Sequence, residues 1–84
     1  MTTFPCSIQD LPTPCLLLRR SRLVANCRKM AARMAEKGVG LRPHLKTAKS
    51  IDVARIATAG HSGAITVSTL AELEYFAKHG VDDI

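Results

Sequence analysis

Segments of strand length and amphipathic stretches alternate along the 84-residue chain. Segments of strand length occupy residues 15–18, 41–46 and 64–67. Each is followed by a stretch in which apolar residues recur every three or four positions, which predicts a helix with one apolar face. The pattern therefore predicts three strand-helix units, and residues 81–84 begin like a fourth strand.

The three predicted helices have recognisable start signals. Ser21, Ser50 and Thr69 are good N-cap residues, and Thr69 with Glu72 has the spacing of a capping box. The apolar positions expected to pack inward are Leu23, Val24, Cys27, Met30, Ala31 and Met34 in the first helix, Ile51, Val53, Ala54, Ile56 and Ala57 in the second, and Leu70, Leu73, Phe76 and Ala77 in the third.

Glycines close the units at regular intervals. Gly38, Gly60 and Gly80 are 22 and 20 residues apart, which is the length of a compact strand-helix unit. Alternating strands and helices imply right-handed crossovers and a parallel sheet with helices outside. Because an eight-unit barrel needs about 250 residues, we expect an α/β fold that forms the first three strand-helix units of a (β/α)8 TIM-type barrel, incomplete in this chain. A small complete three-stranded α/β domain is the alternative.

Composition and charge narrow the class of protein. Hydrophobic residues make up 46% and charged residues 23% of the chain, as in globular proteins with a packed core. No apolar run approaches the roughly 20 residues that span a bilayer, so we expect a cytoplasmic protein with no membrane contact. The net charge of +5 is concentrated on and beside the first predicted helix without interleaved aromatic residues. We interpret it as a solvated helix face and expect no nucleic-acid partner.

The three cysteines do not suggest a cross-link or a metal site. Cys6, Cys15 and Cys27 are odd in number and lack C-x-x-C spacing. This argues against a disulfide framework and a zinc knuckle. We expect them to be small buried side chains.

The second predicted strand carries the most informative chemistry. Because side chains alternate along a strand, one face receives Leu41, Pro43 and Leu45 and the other receives Arg42, His44 and Lys46. If both faces are covered, the cationic set needs an anion. A phosphate-bearing cofactor would supply it at the carboxyl end of the strand, where barrel enzymes keep their active sites. The same pattern also fits the wet face of an exposed strand, which Pro43 favours.

Three stretches resemble the D-threonine aldolase and D-serine dehydratase family, which has an alanine-racemase-type barrel. Leu41 to Lys49 is similar to the family's R-P-H-x-K-T-H-K signature. Residues 11–14 with the following apolar run are similar to its opening strand, and residues 63–72 are similar to its third strand and helix. Residues 1–13 carry two prolines and no periodic pattern and are expected to be an irregular lead-in. The resemblance implies that residues 14–84 are the N-terminal part of a pyridoxal-phosphate-binding barrel.

The resemblance implies roles for individual side chains. Lys46 would be the catalytic residue that carries pyridoxal 5'-phosphate, as a lysine amine attacks an aldehyde. Arg42 and His44 would lie on the same face near the cofactor, with a structural role for His44 as the alternative. The hydroxyl groups of Thr66 and Ser68 either face the cofactor or satisfy backbone groups at the end of the third strand.

The implied activity is that of a lyase for D-hydroxy amino acids, by D-threonine aldol cleavage or D-serine dehydration. Ala48 replaces the usual histidine of the signature, so the contact of that side chain is absent. The family's divalent metal is held near the C-terminus, so metal and a homodimer are expected only of the full-length protein, and this chain has no predicted metal ligand. The isolated chain is therefore predicted to be inactive. The alternatives are a related pyridoxal-phosphate racemase or cofactor carrier, and a small basic module that binds an anionic partner.

Overall fold

A computed structural model describes residues 7–84 of the chain. It contains a short 3-10 turn at Ile8–Asp10 and three α-helices: α1 (Arg20–Glu36), α2 (Ile51–Ala57) and α3 (Leu70–Lys78). All three helices lie where the hydrophobic pattern predicted them. Within residues 7–84 no helix is both long enough and apolar enough to cross a membrane.

Two of the three predicted N-caps are confirmed. The side chains of Ser50 and Thr69 each accept a hydrogen bond from the backbone amide three residues later. The prediction for Ser21 was wrong, because the N-cap of α1 is Arg19, whose side chain makes no capping hydrogen bond. The Arg19 carbonyl accepts from the Leu23 amide instead, so backbone atoms alone close the first turn.

Where the second, third and fourth strands were predicted, the described structure has extended segments that lack the regular hydrogen bonds of a β-sheet. We name them the lysine segment (41–46), the threonine segment (64–67) and the C-terminal segment (81–84). Within residues 7–84 the pairing is one parallel bridge, between His44 and Thr66. This confirms the parallel direction but not a strand, because a strand needs several such bonds in succession. The eight-unit barrel stays a prediction.

The threonine segment lies between the other two. Its Thr66 amide donates to the Pro43 carbonyl at 2.9 Å, and the Thr66 carbonyl accepts from the Leu45 amide at 3.0 Å. On its other side, the Ile65 amide donates to the Asp83 carbonyl at 3.0 Å. The order of the segments in space therefore follows their order in the chain.

The predicted first strand was wrong for the described structure. Residues 15–18 lead into α1 without helix or strand structure. Leu16 is 98% exposed, and Leu17 and Leu18 are more than half exposed. The apolar run satisfied the sequence criterion for a buried strand, but no second layer covers it within residues 7–84, and apolar composition alone cannot supply one.

The hydrophobic core joins the lysine and threonine segments to α2 and α3. Its buried side chains are Leu45, Ile51, Ala54, Ile65 and Phe76. Ile65 and Phe76 are completely buried. Fully burying a side chain of this size is worth about 1.5–3 kcal/mol, so these contacts hold the segments against the helices.

The first helix has no buried residue, contrary to the predicted buried stripe. Its predicted inward positions are half-buried, except Met30, which is 45% exposed. The reason is that α1 packs beside α2, and none of its residues belongs to the core cluster of the described residues. The prediction of buried cysteines was also wrong for Cys15, which is exposed, while Cys27 is half-buried. Cys6 lies outside the described residues.

Helix α3 turns a different face inward from the one predicted. Phe76 is buried as expected, but it is accompanied by Glu72 and by the partly buried Tyr75. The Tyr75 hydroxyl accepts a hydrogen bond from the Ile51 amide at 3.0 Å, which fixes the rotation of α3 about its axis. Three positions predicted to pack inward are exposed instead: Leu70, Leu73 and Ala77.

Candidate functional site

The lysine segment presents its two sets of side chains to opposite faces, as predicted. Leu45 is only 3% exposed and lies in the core. The alternate residues are all exposed: Arg42, His44 and Lys46. Lys46 comes last, where the chain leaves the segment and bends toward α2. The predicted reactive lysine is thus accessible from solvent.

The His44 ring joins two other predicted site residues. Its Nδ1 accepts a hydrogen bond from the Lys46 backbone amide at 3.2 Å. Its Nε2 lies 3.3 Å from the Ser68 hydroxyl oxygen. A neutral imidazole that accepts at Nδ1 carries its proton on Nε2, so Nε2 donates to Ser68. The structure therefore brings His44, Lys46 and Ser68 together.

Arg42 shares this face, but its guanidinium is bonded to protein groups. One nitrogen forms an ion pair with the Asp83 carboxylate at 2.8 Å. The other donates to the Ile65 carbonyl at 3.0 Å. Arg42 thereby fastens the lysine segment to the threonine and C-terminal segments. Its predicted contact with the cofactor stays a prediction beside this structural role.

Thr66 is placed mainly by its backbone. Its amide and its carbonyl both bond to the lysine segment, and its side chain is half-buried. This pairing puts Thr66 opposite His44 in the parallel bridge. Its predicted cofactor contact stays a prediction, while Ser68, two residues later, is exposed and reaches the His44 ring.

Glu72 belongs to the electrostatics of this site, which sequence reasoning missed. Glu72 is 6% exposed, and its Oε2 accepts a hydrogen bond from the Thr69 hydroxyl at 2.6 Å. Within residues 7–84 its Oε1 has no hydrogen-bond partner. The Thr69 hydroxyl lowers the pKa of Glu72, burial opposes this, and the charge of Lys49, the Ser68 amide and the charge of His44 lower it further. The capping-box pattern located Glu72 but did not reveal a buried carboxylate beside the cationic face.

We expect Glu72→Gln to flatten the acid limb of the stability profile. Because the folded pKa lies below its ordinary value of 4.5, ionised Glu72 stabilises the fold above that pH, and the stabilisation is lost as pH falls through the folded pKa. Chemical unfolding at several pH values between about 6 and 3 measures this dependence. Glu74→Gln removes an exposed carboxylate from the same helix and should leave the slope close to that of wild type. A wild-type slope in Glu72→Gln would contradict the assignment.

The side chains at this face suit a small molecule that carries an aldehyde and a phosphate. Lys46 belongs to neither of the two ion pairs described for residues 7–84, so its amine is available. A primary amine is a nucleophile that reacts with aldehydes. Lys49 and the hydroxyl of Ser68 supply a cation and a donor of the kind that bind phosphate oxygens. No cluster of three or more possible metal ligands occurs in the described part of the chain.

Comparisons with known proteins identify related sequences. The chain is 45% identical over 78 residues to D-threo-3-hydroxyaspartate dehydratase of Delftia sp. (strain HT23), covering 93% of this chain and 20% of that protein. It is 40% identical over 80 residues to D-serine dehydratase of Dictyostelium discoideum, covering 89% and 20%. It is 34% identical over 76 residues to 3-hydroxy-D-aspartate aldolase of Paracoccus denitrificans, also covering 89% and 20%. No family model matches the chain.

A solved structure agrees with the sequence comparison. The structure of a histidine-to-alanine mutant of D-threo-3-hydroxyaspartate dehydratase is similar with a TM-score of 0.82 and 46% identity, over 89% of this chain and 19% of that one. The predicted resemblance is thus confirmed: over most of its length the chain is similar to a part of proteins of the D-threonine aldolase and D-serine dehydratase-like family. It spans about a fifth of the length of the curated relatives it matches.

Proposed function

We propose that this chain is part of a pyridoxal-phosphate-dependent lyase for D-hydroxy amino acids and that Lys46 binds the cofactor. The observation that carries the proposal is the position of Lys46, exposed at the end of the lysine segment and bonded through its backbone to His44. The similarity to dehydratases and an aldolase supports it. The whole protein would form the predicted (β/α)8 barrel.

Three residues of this chain would have different roles at the cofactor: one would bind it, and two hold the backbone around it. Lys46 would hold the cofactor through its side-chain amine, the group that reacts with an aldehyde. The His44 ring holds the Lys46 backbone, and Arg42 keeps the three segments at a fixed separation. When bound, pyridoxal phosphate supplies an acceptor for the electrons released at the substrate α-carbon.

The proposed substrates are D-amino acids with a β-hydroxyl group. D-Serine and 3-hydroxyaspartate, which appear in the names of the relatives, share that group. Aldol cleavage and dehydration both start from it, and this chain does not choose between them. A divalent metal and a homodimer are proposed for the whole protein only. A cytoplasmic location is proposed because Cys15 and Cys27 are free thiols, as is usual in a reducing compartment.

Mapping of covalently bound cofactor tests the proposal. The chain contains five lysines, and they are Lys29, Lys37, Lys46, Lys49 and Lys78. Pyridoxal phosphate is added at limiting concentration, the adduct is reduced with borohydride, and the modified lysines are quantified by mass spectrometry of peptides. We expect Lys46 to be labelled first and most. Equal labelling of all exposed lysines would reject the proposal.

The 84-residue chain itself is expected to show no lyase turnover. It holds the proposed lysine, but it spans only a fifth of the relatives' length, and most phosphate contacts and the metal ligands are expected elsewhere. Assays with D-threonine, D-serine and 3-hydroxy-D-aspartate, with pyridoxal phosphate and a divalent metal added, measure this. Product formation above that of free cofactor would show that the prediction is wrong.

A basic anion-binding module is the second candidate, and one groove favours it. Arg20 and Arg28 from α1 and Arg55 from α2 line a groove of about 290 Å³ whose floor is apolar. Binding of an anion there should weaken steeply with salt and should not depend on Lys46. Pyridoxal-phosphate labelling that is blocked by Lys46→Ala but unaffected by Arg28→Ala favours the lyase.

A further inference from the structure

We propose that Ser68 and His44 form a positioning pair for Lys46. Ser68 holds the His44 ring in the form protonated on Nε2, and Nδ1 of that ring fixes the Lys46 backbone amide. The effect on cofactor attachment rests on the proposed function, whereas the pairing itself does not. His44 and Ser68 act through Lys46 and are positioning residues.

The first contact ends the lysine segment in a defined conformation. The Leu45 amide donates a hydrogen bond to the Thr66 carbonyl of the threonine segment. The next amide, that of Lys46, donates a hydrogen bond to Nδ1 of the His44 ring at 3.2 Å. A side chain that accepts from the amide two residues later is the arrangement that asparagine and aspartate make in turns. His44 provides it where the chain bends at residues 46–48. The direction in which the Lys46 side chain leaves the backbone is thereby fixed.

The second contact selects the form of the ring that can do this. If the proton were on Nδ1, two donors would face each other, the ring N–H and the Lys46 amide. The Ser68 hydroxyl, 3.3 Å from Nε2, accepts a hydrogen bond from the Nε2–H of the other tautomer and so adds to the preference that the Lys46 amide sets. The position of Ser68 is held from both sides. Thr66, two residues earlier, is hydrogen-bonded to the lysine segment, and Thr69, one residue later, caps α3.

The consequence for Lys46 is a smaller loss of freedom on reaction. A lysine side chain has about 2 kcal/mol of rotamer entropy to lose when its amine is held at one point. A fixed backbone places the start of that chain, so fewer conformations must be searched before Nζ meets the aldehyde. We therefore expect the pair to raise the rate of covalent attachment at Lys46.

Nuclear magnetic resonance of the 84-residue chain tests the pairing without cofactor. Ring nitrogen shifts report the tautomer of His44, and amide exchange reports the Lys46 hydrogen bond. In Ser68→Ala we expect a mixture of tautomers and Lys46 amide exchange faster by roughly tenfold. Ser68→Thr restores the hydroxyl and should return both signals to wild type. Thr47→Ala, which removes an exposed hydroxyl beside Lys46, should change neither.

A second pair of variants tests the ring directly. His44→Asn keeps an acceptor two residues before the amide, so the Lys46 amide should stay protected, whereas His44→Ala should expose it. An unchanged tautomer and unchanged Lys46 exchange in Ser68→Ala would overturn the pairing. With cofactor added, slower labelling of Lys46 in Ser68→Ala supports positioning, and an unchanged rate refutes it. If the wild-type chain shows the tautomer but no preference for Lys46, the pairing is supported and the cofactor role is rejected.

Discussion

Replacement of Phe76 by alanine is expected to destabilise the chain by about 3–5 kcal/mol. Phe76 is completely buried, and its ring packs edge-on against Tyr75 with 5.0 Å between the ring centroids. Truncation removes apolar contacts to the core and leaves a cavity beside the buried residues of the lysine and threonine segments. Because native domains are stable by only about 5–15 kcal/mol, most of the cooperative unfolding transition should disappear. Urea or thermal unfolding followed by circular dichroism measures this.

Leu70→Ala is the matched control, because it lies on the same helix and was assigned by sequence to the same apolar face. Leu70 is 78% exposed, so its truncation should change the free energy of unfolding by no more than about 0.5 kcal/mol. Similar losses in the two variants would mean that α3 packs with the face predicted from the sequence and not with the face seen in the structure.

The positions of the helices were predictable because local interactions determine them. Ser50 and Thr69 cap their helices through side-chain bonds that need no distant partner. The glycines that follow the helices adopt positive φ, with 65° at Gly38 and 97° at Gly80, a conformation that side chains disfavour. Helix N-caps and the glycines that end helices can therefore be predicted from a single sequence.

The buried face of each helix was less predictable because tertiary contacts decide it. Apolar spacing predicted that α3 packs with the face that carries Leu70 and Leu73, whereas the bond from the Ile51 amide to the Tyr75 hydroxyl turns another face inward. The stripe on α1 was correctly located, but the helix packs beside α2 without reaching the core. Periodicity shows which residues share a face and does not show how deeply that face is covered.

The site was predictable along the lysine segment and unpredictable across segments. Alternation placed His44 and Lys46 on one face, and the third predicted strand pointed to Ser68. The partner of Arg42 was not visible, because Asp83 is 41 residues away in the sequence. The sequence argument required an anion for Arg42, His44 and Lys46, and the Asp83 carboxylate supplies one at Arg42. Lys46 is in neither ion pair of the described residues, so its amine is available for a ligand.

Lys46→Ala is expected to abolish preferential covalent binding of pyridoxal phosphate. The absorbance of bound cofactor and the total borohydride-stable label should fall at least about tenfold, to the labelling level of the other exposed lysines. Lys46 is exposed and lies outside the core, so its truncation should change the free energy of unfolding by less than about 0.5 kcal/mol. The loss of binding would then have a chemical cause and not a structural one.

Lys49→Ala provides a control of equal charge, since Lys49 is exposed and lies three residues further along the chain. If the cationic face merely concentrates an anionic aldehyde, the two variants should lose label to a similar extent, because each removes one positive charge. If Lys46 forms the bond, Lys49→Ala should keep its label at Lys46, with at most a weaker affinity from the lost charge. Retention of the label in Lys46→Ala at a single neighbouring lysine would assign the cofactor to that residue. The comparison therefore separates electrostatic attraction at this face from attachment at one amine.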